Sequence, residues 1–217
     1  MIKGAIFDVD GTLLDSMPIW DTIANDYLLS LGIKEEKPLA PIFKSFSQAQ
    51  AAQYYIDNYG LKLSPEEITA GVNAMIADFY ENKVQLKAGA AEFLQKLCFF
   101  GVRMCIATAT DSSLVTAALS RCGVLPYFSA VFCCSEYGSK SSPEIYRAAA
   151  EHLGCEKAET WVFEDALHAA STAAKDDFPV AAVFDRAEKE PEELKKISRV
   201  YLEDMQDFSI FWKKASV

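Results

Sequence analysis

GAIFDVDGTLLDS, running from Gly4 to Ser16, decides how the rest of the chain is read. Its opening run, Gly4 to Phe7, is apolar without interruption, as expected of a short strand covered on both faces. Asp8 and Asp10 follow at once. Residues two apart on an extended chain point to the same side, so these carboxylates repel each other unless a cation or a shared proton lies between them.

Beyond Ser16 the pattern turns helical. Pro18 to Leu31 carries Ile19, Ile23, Tyr27 and Leu28 on one side and stops at Gly32; Ser47 to Tyr59 is a second helix, ended by Gly60. A third starts at Ser64-Pro65-Glu66-Glu67, a capping box, and places Ile68, Val72, Met75, Ile76 and Phe79 on its apolar face. From about Ala88 onward, helices alternate with short apolar strands. Helix Ala90 to Phe100 precedes strand Met104 to Thr108, and helix Ser112 to Cys122 precedes strand Ala130 to Cys134. Helix Pro143 to Leu153 leads to strand Trp161 to Glu164, and helix Leu167 to Lys175 leads to strand Val180 to Phe184, with a weaker strand at Val200 to Leu202. This alternation predicts a doubly wound α/β domain built on a parallel sheet. Strand Gly4 to Phe7 belongs to that sheet, so the helical block is an insertion: residues 1–15 and 84–217 form the core domain, and residues 16–83 a helical cap.

A chain of 217 residues suits one domain with a sizeable insertion. Its 51% hydrophobic, 24% charged and 12% aromatic residues are those of a folded globular protein. The net charge of -10 argues against nucleic acid and anionic membranes as partners, since both demand a basic surface. No leader pattern or membrane-length apolar run is evident, so a cytoplasmic protein is expected, as a monomer or weak homo-oligomer. The six cysteines include no CxxC pair and lie mostly in apolar stretches, which predicts buried reduced thiols.

In open α/β sheets the ligand lies beyond the carboxyl ends of the strands. The residues there are Asp8 and Asp10 after the first strand, Thr108 and Thr110 after the second, Lys140 after the third, and Glu164 with Asp165 after the fourth. Phosphoryl transfer needs such a set: a nucleophile, neutralising cations, hydrogen-bond donors and a group that moves a proton. A carboxylate serves as nucleophile by forming an aspartyl phosphate. Magnesium suits an all-oxygen donor set and relieves the repulsion around Asp8.

Asp8-Val9-Asp10-Gly11-Thr12 resembles the first motif of the haloacid dehalogenase superfamily, DxDx[TV]. Thr108 in ATAT, Lys140 in GSKSSPEIY and Glu164-Asp165 in FEDA resemble its second, third and fourth motifs, in order along nearly the whole chain. The chain is similar to the phosphatase and β-phosphoglucomutase-like branch, a Rossmann-like core with a helical cap after motif one. The resemblance implies that Asp8 attacks phosphorus, and that Asp10 protonates the leaving group and then activates water. It implies further that Thr108, the Ala109 amide and Lys140 bind the phosphoryl group, and that Asp8, the Asp10 carbonyl and Asp165 hold Mg2+ with Glu164 beside it. The activity implied is hydrolysis of a small phosphorylated metabolite; a sugar-phosphate mutase and a weakly active phosphometabolite-binding protein are the alternatives.

Some positions depart from the family pattern. Ser141 and Ser142 stand in the KPxP segment after the lysine, and Ala166 and Ala169 stand at the serine and glycine of EDSxxG, which weakens the expected support of the metal ligands. Trp20 and Gln48 replace a histidine and an arginine of the mutases, and no Lys or Arg lies around Gly71 to Asn73, which favours hydrolysis of a monophosphate; Lys44 is a partial substitute. Asp15 reads as a turn residue, His168 as a packed or surface imidazole, Trp20 as a core aromatic, and the charged run Asp185 to Lys196 as a solvated loop and helix.

Overall fold

The computed structural model describes residues 1–43 and 46–217. Lys44 therefore lies outside the described residues. In chain order the elements are β1 (Gly4–Phe7), α1 (Ile19–Ser30), α2 (Ala40–Phe43), α3 (Gln48–Tyr59), α4 (Pro65–Asn82), α5 (Ala90–Phe99), β2 (Arg103–Thr108) and α6 (Ser112–Arg121). Then follow β3 (Val131–Cys133), α7 (Cys134–Tyr137), α8 (Glu144–Leu153), β4 (Thr160–Glu164), α9 (Leu167–Lys175), β5 (Val180–Val183), α10 (Pro191–Ile197), β6 (Val200–Leu202) and α11 (Phe208–Ala215). The chain divides into two compact units, residues 1–16 with 84–217 and residues 17–83.

The first unit is built on a six-stranded sheet in the order β3-β2-β1-β4-β5-β6, every neighbour parallel. The fold is the doubly wound α/β architecture. Its layers follow from the two-residue period of a strand. Ile6 and Val162 face one side and pack with Ile145, Tyr146 and Ala149 of α8 and Ala170 and Ala173 of α9. Phe7 and Phe163, paired in register across β1 and β4, face the other and stack at 4.2 Å between ring centroids. Phe93 of α5 meets Phe163 edge-on at 5.5 Å, and Phe211 of α11 closes the cluster 5.0 Å from Phe163. Central strands buried on both faces explain why their sequences show no polar alternation.

In the second unit, α3 and α4 begin with capping boxes, Ser47 with Gln50 and Ser64 with Glu67. Ala24, Tyr27, Leu28, Leu39, Ala52, Tyr55 and Ile68 form its core. Gly71 lets α4 approach α1 closely, since a Cβ there would lie 2.7 Å from the Tyr27 ring. Trp20 is not a core residue: it is 45% exposed. The expected strand Ala130 to Cys134 is shorter, because Cys134 already begins α7. All six cysteines are free thiols, but only Cys105 and Cys133 are buried and Cys98 is exposed. Among the described residues no helix is long and apolar enough to cross a membrane.

Candidate active site

The parallel strands deliver their last side chains to one rim. Asp8 extends β1, its N–H donating to Phe163 O at 3.0 Å, and its carboxylate meets the ammonium of Lys140. That lysine also donates to Glu164 Oε1 at 2.7 Å, and the Tyr146 hydroxyl donates to the same oxygen at 3.0 Å. Asp8, Lys140, Glu164 and Asp165 are all buried. Two of these buried carboxylates, Asp8 and Glu164, thus share one buried ammonium, with a third, Asp165, close by. Burial pushes Asp8 up to about 7, Glu164 and Asp10 add to the shift, and Lys140 opposes it. Asp165 is likewise raised well above the usual carboxylate range, by burial first and then by Asp8 and Glu164. Burial pulls the Lys140 ammonium down, but Asp8 and Glu164 outweigh it and hold the pKa above the ordinary lysine value. The cluster is short of positive charge.

A divalent cation fits that deficit. One oxygen from each of Asp8, Glu164 and Asp165 lies within 4.8 Å of the others, a hard, oxygen-only donor set of the kind magnesium prefers. The turn after Asp8 is tightly bonded and packs against Asp165. Leu13 and Leu14 both donate to Val9 O, at 2.9 and 2.8 Å, and Gly11 takes φ +81°. A Cβ on Gly11 would lie 2.3 Å from Asp165 Oδ2, so glycine is needed both for its backbone conformation and for its lack of bulk. Thr12 Oγ1 donates to Asp165 Oδ1 at 3.1 Å.

Asp10 lies near Asp8 but makes its own hydrogen bonds. Its two oxygens accept from Ser16 Oγ and Thr110 Oγ1, each at 2.6 Å. Thr110 N–H in turn donates to the buried Thr108 Oγ1 at 3.0 Å, so the loops after β1 and β2 are joined through Asp10. Ala109 is exposed between the two threonines. Of the residues singled out from sequence, Asp8, Lys140, Glu164 and Asp165 form one cluster, with Asp10 and Thr108 linked to each other through Thr110. Ser16, Tyr146 and Lys87 were not singled out. Tyr146 is the one with a sequence signal, a tyrosine on the buried face of the helix directly after the lysine motif.

The departures from the family pattern have local compensations. Without a proline after Lys140, the segment is turned by Ser139, whose Oγ accepts from Ser141 N–H at 3.0 Å. Without a serine at Ala166, the first turn of α9 is capped from a distance: Glu188 Oε2 accepts from Leu167 N–H at 2.7 Å. Burial pushes the Glu188 carboxyl up, and the backbone bonds from Leu167 and Glu190 outweigh it and hold it below the usual range. The charged run beginning at Asp185 is therefore not simply solvated, since Asp185 is buried and Glu188 caps a core helix. His168 and Asp15 are exposed.

A parallel α/β sheet with a helical insertion after its first strand, and an acid-and-lysine cluster at the strand ends, defines a class of hydrolases. Residues 2–175 match the family model of haloacid dehalogenase-like hydrolases, and the chain belongs to that family. YhcW of Bacillus subtilis (strain 168), provisionally named a phosphatase, is 30% identical over 81% of this chain and 80% of its own. The fructose-1-phosphate phosphatase YqaB of Escherichia coli (strain K12) is 26% identical over 80% of this chain and 93% of its own. Among solved structures, a Thermotoga maritima protein provisionally named a β-phosphoglucomutase superposes with a TM-score of 0.85 at 20% identity, covering 98% of this chain and 99% of that one.

Proposed function

We propose that this chain is a magnesium-dependent phosphatase acting on a small phosphorylated metabolite, in the sugar or polyol phosphate class, through an aspartyl phosphate. The observation that carries the reading is Asp8, buried at the end of β1 and held by Lys140 among carboxylates that call for a cation. Asp8, Asp165 and the backbone carbonyl of Asp10 would hold Mg2+, with Glu164 beside them; when bound, it supplies the charge that keeps Asp8 ionised and neutralises phosphoryl oxygens. Asp8 Oδ attacks phosphorus as the bond to the leaving oxygen breaks. Asp10 delivers its proton to that oxygen, and the resulting carboxylate then takes a proton from the water that attacks the aspartyl phosphate. Lys140 fixes the attacking carboxylate and offsets phosphoryl charge, while the Thr108 hydroxyl and the Ala109 amide bind the transferring group.

The substrate class comes from the relatives named as fructose-1-phosphate and hexitol phosphatases. Hydrolysis is preferred to mutase chemistry because a mutase grips a second phosphate, and the groove within the helical unit is lined by Gln48, Thr69, Asn73 and apolar residues, with no cation among its described lining. Release of phosphate from p-nitrophenyl phosphate should require added magnesium and fall by at least about a thousandfold in Asp8→Asn. An Asp8→Asn protein as active as the wild type removes the reading. Interconversion of sugar phosphates that needs a bisphosphate activator would replace it with the mutase.

A further inference from the structure

Lys87 lies where the chain returns from the helical unit to the sheet domain, remote in sequence from every motif. Its backbone N–H donates to Leu13 O at 2.8 Å, and Asp15 N–H donates to Gln85 O at 2.9 Å, so the returning segment pairs with the outgoing one next to the catalytic turn. Its ammonium then reaches beneath that turn. It donates to Gly11 O at 2.5 Å, to Phe184 O at 2.5 Å and to Asp185 Oδ2 at 2.9 Å. The lysine side chain is 17% exposed and the aspartate 4%, so their ion pair is mostly shielded from water.

Gly11 is the residue between the two functions of the turn. On its N-terminal side is Asp10; on its C-terminal side is Thr12, bonded to Asp165. The Gly11 N–H is already used by Leu14 O at 3.0 Å, and Lys87 secures its carbonyl. With both peptide groups of a positive-φ glycine hydrogen-bonded, the backbone that carries Asp10 into the turn is held in place, while Ser16 and Thr110 hold its carboxylate. We infer that Lys87 is a positioning residue for Asp10, locking the Gly11 turn from below so that the proton donor is aimed as the P–O bond breaks. This rests on the phosphatase reading. It adds a residue that touches neither substrate nor metal ligands yet governs one step, proton delivery to the leaving group.

The step has its own signature. A phenolate that leaves readily needs little protonation, whereas a more basic one depends on Asp10, and kcat/KM reports only the steps through formation of the aspartyl phosphate. The test compares p-nitrophenyl phosphate with phenyl phosphate in wild type, Lys87→Met, Lys87→Arg and the double variant Lys87→Met/Asp185→Asn. The double variant guards against misfolding, since Lys87→Met alone strands a buried carboxylate. Both methionine variants should lose about tenfold more kcat/KM on phenyl phosphate than on p-nitrophenyl phosphate, with arginine restoring most of it. Equal losses on the two substrates, or none, overturn the inference, as does a uniform loss accompanied by weaker magnesium binding in a calorimetric titration. A wild type inactive on both substrates instead overturns the phosphatase reading and this inference with it, a pattern separable from an active wild type with an unselective variant.

Discussion

The strand-end rim of the sheet domain and the interior of the helical unit bury polar groups on opposite terms. At the rim, Asp8, Glu164 and Asp165 crowd together with one ammonium bonded to the first two, and Asp8 and Asp165 are driven above their ordinary range by burial and by neighbouring carboxylates. In the helical unit the buried polar groups are phenols that stay neutral: Tyr55 donates to Ala24 O at 2.9 Å, and burial raises its pKa further out of reach. One region holds electrostatic tension that the proposed cation and phosphate would relieve; the other is satisfied as it stands. Substitutions in the two should therefore move activity and stability independently.

After Asp8→Asn, the largest effect should come from Gly11→Ala. A methyl group 2.3 Å from Asp165 Oδ2, on a backbone at φ +81°, displaces both the proposed metal ligand Asp165 and the turn that carries Asp10. A displacement on the order of an ångström at a reacting centre costs about a hundredfold, so kcat on p-nitrophenyl phosphate should fall by about that factor. A variant with wild-type kcat would break the comparison at its root.

Asp165→Asn should separate the two currents more finely, by losing activity and gaining metal-free stability. A carboxyl whose folded pKa is raised lowers stability as pH climbs from its unfolded value through its folded one. The gain from asparagine should then be near zero at about pH 4, in the ordinary aspartate range, and grow as pH rises above it, by about 2–4 °C in melting temperature for each ~1 kcal/mol recovered. Added magnesium should raise the melting temperature of the wild type and leave the variant unmoved. A gain that shrinks as pH rises contradicts the assignment of Asp165 as a strained carboxylate.

Ser64→Ala should show the smallest effect and the opposite sign. It removes the hydroxyl that caps α4 through Glu67 N–H, at about 1 kcal/mol of stability, while kcat on p-nitrophenyl phosphate stays at the wild-type value.

The same contrast governs what the sequence discloses. Strands buried on both faces leave unbroken apolar runs, and the polar residue after each run is placed by geometry, so Asp8, Thr108, Lys140 and Glu164 were legible as one rim before any coordinates. Local signals such as the Ser64 capping box were legible too. Residues whose meaning depends on distant partners were not. Lys87 finds its acceptors 76 and 97 residues away, and Glu188 caps a helix 21 residues upstream, so each reads in sequence as one more surface charge. Trp20 misled for the converse reason, because an aromatic at helical spacing carries no mark of the side on which a neighbour is missing. Helix α11 has a buried aromatic face, Phe208 and Phe211, whose partner Phe93 lies far back in the chain, and it was not assigned.

The pairing of Leu14 with Leu86 has a consequence for how such a chain is assembled. The points where the polypeptide leaves the sheet domain and re-enters it are hydrogen-bonded neighbours, so residues 17–83 close a loop whose ends the sheet domain already holds together. Loop-closure entropy grows only logarithmically with length, so once the ends are tied a longer or shorter inserted segment costs the sheet domain little. The helical segment is thus free to vary in size and composition with little penalty to the folding of the domain that carries the chemistry.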